Sequence, residues 1–184
     1  MATDADNIYV ASPTVGTGGV FTAALGTALP ATVDASIAAF TDNGLIDENG
    51  VTSMKELAME DIRQWNGKKA RTIQTEYGRK FSTVFLEANA TVLAHLYGDG
   101  NVVTVDDVTT ITDDGTETPH FAMVIDTVDG DKNIRLTAAD CQVVDQEDVV
   151  FVHSDASRFG VTIEVFPDDD GTFVTEYWST GAGS

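Results

Sequence analysis

The chain has 184 residues, 42% of them hydrophobic, which is enough for one domain with a sizeable core and too little for a second full domain. Thirty acids against ten bases leave a net charge of -20, a surface that repels phosphate backbones and anionic lipid and so disfavours specific nucleic-acid or membrane binding. A single cysteine, Cys141, excludes an internal disulfide and any multi-cysteine metal site.

The opening residues Met1 to Asp6 carry no basic start and no apolar stretch follows them, so no secretory signal is expected. No run approaches the roughly 20 apolar residues that cross a bilayer, and synthesis in a cytoplasm is the expectation. Residues 1–33 read as an N-terminal arm and extended loop: Ile8, Tyr9 and Val10 form a short strand or arm, and Val20 to Ala23 a brief second strand. Between and after them comes a connection rich in Pro13, Gly16, Gly18, Gly19, Gly26 and Pro30. The glycine cluster does not fit a dinucleotide fingerprint, because the third glycine would fall at Phe21.

A short helical turn fits Asp34 to Phe40, and tight turns fit Asp42 to Gly44 and Asp47 to Gly50. The next segment has two readings. Met54, Leu57, Ala58, Asp61, Ile62 and Trp65 fall at helical spacing behind a capping box of Ser53 and Glu56; equally, Val51 to Met59 fits a strand leading into one helical turn at Glu60 to Trp65.

Strict alternation then marks a long strand from Ile73 to Phe85, with Ile73, Tyr77, Phe81 and Phe85 expected on its core face and Gly78 as a place to bulge or bend. Thirteen residues span roughly 43 Å, more than a strand usually needs inside one small domain. Asn89 opens a helix with Val92, Leu93, Leu96 and Tyr97 on its apolar side, and Gly98 closes it. Beyond Asn101 the chain reads as β structure. Phe121, Met123, Ile125 and Thr127 lead to a turn at Asp129 and Gly130, and Ile134 and Leu136 return. Phe159 to Val165 alternates again and stops at Pro167. Phe173, Tyr177 and Trp178 belong to a last strand, and residues 179–184 form a flexible tail.

Charge is unevenly distributed. Residues 1–50 hold six acids and no base, residues 51–80 hold seven bases against four acids, and residues 81–184 hold twenty acids and three bases. A basic strip on an acidic body is either neutralised within the fold or meets an acidic surface on another copy, and the second option is a head-to-tail contact that closes into rings or runs on as a helix. Lys68, Lys69, Arg71, Arg79 and Lys80 are the candidates for that contact. The -20 total itself fits solubility, a high-salt host, or a wall offering passing DNA nowhere to stick.

Catalytic and metal patterns are missing. His95, His120 and His153 stand alone, Asp126, Asp129 and Asp131 lack calcium-loop spacing, and Asp168 to Asp170 read as a hairpin tip. No nucleophile elbow is present, and no cofactor is expected.

The order of several short strings resembles the major tail proteins, or tail tube proteins, of long-tailed siphophages infecting actinobacteria. They are Gly44-Leu45-Ile46-Asp47-Glu48-Asn49-Gly50-Val51-Thr52, Glu60-Asp61-Ile62-Arg63-Gln64-Trp65, Arg71-Thr72-Ile73-Gln74-Thr75, and Phe85-Leu86-Glu87-Ala88-Asn89 before a helix ending at Tyr97 and Gly98. Val128-Asp129-Gly130, Ile134-Arg135-Leu136 and Val161-Thr162-Ile163-Glu164-Val165 with Pro167 follow in the same layout. The resemblance covers most of positions 44 to 178. It implies a mainly β fold, a β-sandwich or barrel with one flanking α-helix over residues 34–178, and it favours the strand reading for Val51 to Met59. It further implies a non-enzymatic virion subunit that self-assembles into stacked hexameric rings, a conduit for double-stranded DNA at genome ejection. The implied partners are further copies of itself, the tape measure protein, the tail terminator and distal tail proteins. The alternatives left open are another virion subunit, such as a tail terminator or capsid decoration protein, and a carbohydrate-binding β-sandwich using Trp65 or Trp178.

Overall fold

The computed structural model describes residues 8–179. Residues 180–184 of the tail expected at 179–184, and the first residues of the expected arm, lie outside them. The chain is mainly β. Among the described residues eleven strands are formed: β1 (Ser12–Pro13), β2 (Val20–Ala24), β3 (Thr41–Asp42), β4 (Ile46–Arg63), β5 (Lys69–Phe85), β6 (Val102–Val105), β7 (Val108–Ile111), β8 (His120–Asp129), β9 (Lys132–Gln146), β10 (Phe159–Phe166) and β11 (Thr175–Trp178), with one α-helix, α1 (Ala90–Tyr97), between β5 and β6.

Nine strands form one antiparallel sheet in the order β3-β2-β8-β9-β10-β5-β4, with β1 beside β8 and β11 beside β9; β6 and β7 make a separate two-stranded ribbon. β9 is the spine. One edge pairs with β8, while the other takes β11 at Ile134–Thr137 and then β10 from Asp140 onward. Val20 of β2 and Phe81 of β5, from opposite ends of this path, share a single core cluster, so the sheet curls around one interior. The two faces of an implied sandwich are thus parts of one continuous sheet.

β8 is buried on both faces. Phe121, Met123 and Ile125 enter the main core, while Ala122 and Val124 face the opposite way against Phe21 and Phe40. The segment read as arm and loop therefore supplies an internal strand, β2, and core residues Val20 and Phe21. Residues 34–40 form turns rather than a helix, closing with Phe40 N donating to Ile37 O. Arg135 holds this stretch from below. Its buried guanidinium donates to Asp126 at 2.8 Å and to the carbonyls of Thr32 and Ala35 at 3.0 and 2.7 Å.

The helix follows its sequence signals. Asn89 Oδ1 accepts from Val92 N at 2.9 Å, a cap worth about 1 kcal/mol, and Gly98 at φ 93 ends it. Val92, Leu93 and Leu96 bury against the sheet. Among the described residues no helix is long and apolar enough to cross a membrane.

Residues 46–63 are strand throughout. A helix here would present Met54, Leu57, Ile62 and Trp65 as one stripe with no apolar surface to receive it. As a strand the segment instead pairs with β5 from Ile46 to Arg63, and the expected helical turn at Glu60 to Trp65 is replaced by a hairpin turn. That turn is Gln64-Trp65-Asn66-Gly67. Gly67 N donates back to Gln64 O, Gly67 takes φ 79, and Asn66 Oδ1 accepts from Lys68 N.

Candidate self-assembly surface

β10 pairs with β5 only as far as Arg79, opposite Val165. Among the described residues, residues 69–78 of β5 therefore have β4 as their only strand partner, and the β4–β5 hairpin projects beyond the sheet as a two-stranded arm, with Tyr77 edge-on to Phe173 at 4.9 Å near its base. β4 is also the last strand on its side of the sheet. Among the described residues its outer edge pairs with nothing over 18 residues, roughly 60 Å of unpaired N–H and C=O groups. Isolated two-stranded ribbons are marginal in water, and proteins normally keep edges short or blunt them.

The four residues expected on the core face of the long strand separate. Phe81 and Phe85 are buried in the main core, whereas Ile73 is half-buried and Tyr77 is 41% exposed, both out on the arm. Ile73 does not even share Tyr77's face. A bulge leaves Thr75 without an opposite residue, so Tyr77 pairs with Leu57 and Ile73 with Glu60. Leu57 and Glu60 are three apart on a strand and point to opposite sides. Gly78 pairs regularly with Glu56, and the bend expected there occurs at Thr75 instead.

The arm is apolar for an exposed element. Leu57, Met59, Ile62 and Tyr77 are exposed along it, and Trp65 at its tip is fully exposed.

The five basic candidates also separate. Arg79 is buried at the base of the arm, where its Nη2 lies 2.6 Å from Glu176 Oε1 and its guanidinium sits 5.4 Å from the Phe81 ring centroid. Lys80 pairs with Glu56 at 3.1 Å, and the Glu56 carboxylate raises its pKa. Lys69 pairs with Asp61 at 2.8 Å, and hydrogen bonds from Lys69 and Thr72 hold the Asp61 carboxyl below its ordinary range. Lys68 and Arg71, both exposed, have no ion-pair partner among the described residues. Part of the basic strip is thus neutralised within the chain, and the free positive charge is concentrated at the tip.

The remaining titratable groups serve the fold. His95 is partly buried between α1 and β2: Thr22 Oγ1 donates to Asn43 Oδ1 at 2.7 Å, so the 2.8 Å contact between Thr22 Oγ1 and His95 Nε2 makes the ring nitrogen the donor. Nδ1 is left buried without a partner, and burial pushes the imidazole pKa down to about 4. Cys141 is fully buried, which raises its thiol pKa. Asp168 Oδ1 accepts from Asp170 N and Thr172 N, the turn role expected of that acid cluster. Among the described residues no three His, Cys, Asp or Glu side chains are placed to hold a metal ion.

An apolar hollow of about 320 Å³ opens between Ile46, Val51, Phe81, Leu136 and Trp178. Glu176 at its rim is engaged by Arg79 and by Trp178 Nε1. Trp178 stands edge-on to Tyr9 with ring centroids 5.1 Å apart.

Sequence reasoning did not single out the ribbon of β6 and β7 or the ion pair between Arg158 and Asp47. A valine-rich stretch, Val102, Val103, Val105 and Val108, interrupted by the pair Asp106-Asp107 was the available signal for the first. For the second there was none, because the partners lie 111 residues apart.

Among solved structures, the chain is similar to one in the tube-terminating cap of the anti-feeding prophage, at 10% identity and TM-score 0.48, covering 97% of this chain and 100% of that one. It is also similar to a chain of an extracellular contractile injection system, a sheath–tube complex in the extended state, at 7% identity and TM-score 0.47, with 97% and 100% covered. A third likeness is to a chain of the virion of a native gene transfer agent particle, at 9% identity and TM-score 0.40, with 76% and 88% covered. No curated protein matches the sequence. The sequence profile described as phage tail tube protein matches residues 1–180, nearly the whole chain, and the protein accordingly belongs to the phage tail tube protein family, a structural and non-enzymatic family of the phage tail.

Proposed function

We propose that this chain forms the wall of a phage tail tube by stacking in hexameric rings, leaving an acidic channel through which double-stranded DNA passes at genome ejection. The observation that carries this reading is the open outer edge of β4, 18 residues long and continuous with an arm that exposes Leu57, Met59, Ile62, Trp65 and Tyr77. An edge of that length is an aggregation hazard in a solitary molecule and a joint in a polymer. The charge of -20 suits the bore, since a phosphate-repelling wall retains no passing duplex. On this reading the host is an actinobacterium, the chain is made in its cytoplasm, and the tape measure, tail terminator and distal tail proteins are its neighbours in the virion.

Imaging tests the reading. Purified chain, concentrated and examined by negative-stain electron microscopy beside a solution mass measurement, is expected to give hollow filaments of uniform width. A monomer at every concentration, without filaments, contradicts it. Binding of glycans that is lost on Trp178→Ala would instead favour the carbohydrate-binding alternative.

A further inference from the structure

Two hairpins of the chain carry opposite charge at their turns. The tip of the β4–β5 arm, from Arg63 to Arg71, carries Arg63, Lys68, Lys69 and Arg71 and no acid. The segment containing the β6–β7 ribbon, residues 99–117, carries Asp99, Asp106, Asp107, Asp113, Asp114 and Glu117 and no Lys or Arg. No hydrogen bond or ion pair joins the two within the chain: Lys69 pairs with Asp61, while Asp106 and Asp107 have no partner among the described residues.

The ribbon has an unpartnered apolar face. Val103 pairs with Thr110 and Val105 with Val108, so these four side chains share one side, while Val102 on the other side packs against the core. Val103, Val105 and Val108 are 53%, 61% and 64% exposed. A two-stranded ribbon that leaves one whole apolar face in water is poorly supported on its own.

The turn is the third observation. Asp106 and Asp107 both lie in the left-handed region, at φ 49 and 63. This two-residue turn is the type that Asn-Gly satisfies best; Asp tolerates it, and two adjacent carboxylates there add mutual repulsion. Neither carboxylate is engaged within the described chain, so both are available to a contact made elsewhere.

From this we infer that the β6–β7 ribbon of one copy receives the β4–β5 tip of another copy, with Trp65 covering Val103, Val105 and Val108 and Lys68 and Arg71 facing Asp106 and Asp107. The inference rests on the self-assembly reading and specifies which two surfaces meet. The contact is heterologous, tip to ribbon, so a docked pair still offers one free ribbon and one free tip to further copies, and the pairing propagates. Charge complementarity of this kind acts chiefly on the association rate and weakens with salt.

The test replaces Asp106→Asn together with Asp107→Gly, which removes both charges while installing the preferred turn, so a folding defect cannot explain a loss. Assembly followed by light scattering is expected to slow by about tenfold at low salt, with the monomer at least as resistant to urea as the wild type. Lys68→Glu with Arg71→Glu is expected to slow assembly similarly. Unchanged assembly in the aspartate variant overturns the pairing, as does a defect confined to the lysine and arginine variant, which would place another acidic surface against the tip. Contact is read separately by mixing Asn66→Cys chains with Val105→Cys chains under mild oxidation. A disulfide-linked heterodimer that neither variant forms with itself supports the pairing, and its absence overturns it. If wild-type chain forms no tubes, the ring reading fails, while the cysteine experiment still decides whether tip and ribbon meet.

Discussion

Arg79 and Glu176 lie 97 residues apart in sequence and meet at 2.6 Å where the projecting arm leaves the sheet. The guanidinium is 4% exposed and the carboxylate 32%, and Nε of the same arginine has no partner. Through this pair the last strand, β11, braces the base of the arm against β9. Removing the carboxylate leaves a buried cation with only the Phe81 ring beside it. Glu176→Ala is therefore expected to cost about 2 kcal/mol in urea unfolding, somewhat below the cost of breaking a fully buried pair. A variant as stable as the wild type would mean that solvent already serves the arginine.

His95 predicts a pH dependence. Its pKa is held near 4 in the folded chain by burial, against an ordinary value of 6.5. The unfolded chain therefore binds a proton that the folded chain refuses. Stability is fully present above about pH 6.5, falls as pH drops toward 4, and loses about 3 kcal/mol to this group over that window. His95→Gln should abolish this part of the slope, seen as a flatter curve of unfolding free energy between pH 4 and 6.5. Parallel slopes in the two proteins would contradict the assignment.

The glycine cluster near the N-terminus serves a close backbone approach. A Cβ at Gly18 would stand 1.6 Å from the carbonyl oxygen of Gly44, and both groups are main chain, so neither can swing aside. This contact sets the corner at which β2 and β3 meet, where Gly18 N reaches Asp42 at 3.3 Å. Gly18→Ala is expected to cost about 3 kcal/mol or to prevent folding. Gly100→Ala, with nothing within 4 Å of the added carbon, should stay within about 0.5 kcal/mol of wild type in thermal unfolding.

Much of this architecture was legible locally. Alternation marked β8 and β10, and Asn89 and Gly98 bounded the helix, because the forces that set those features act within a few residues. The arm was harder to read. Its helical spacing is real, and what cancels it is the edge of β5 lying alongside; Asn66-Gly67, a hairpin signal between two periodic runs, was an available cue that the sequence reading passed over. The bulge at Thr75 leaves no mark in the alternation, so Ile73 looked like a companion of Phe81 and falls on the other face. The charge count was likewise correct as a sum but blind to pairing. Glu176, Glu56 and Asp61 neutralise Arg79, Lys80 and Lys69, and only a folded chain brings Glu176 to Arg79.

The central claim is that the outer edge of β4 is completed by another copy of the chain. Hydrogen–deuterium exchange at the backbone amides of residues 48–62 tests it most directly, comparing dilute monomer with assembled protein. Amides of β4 that point away from β5 should exchange rapidly in the monomer and slow by about 100-fold or more on assembly, as new strand pairing protects them. Rapid exchange at those amides in both states, or protection already complete in a solitary monomer, would contradict the account.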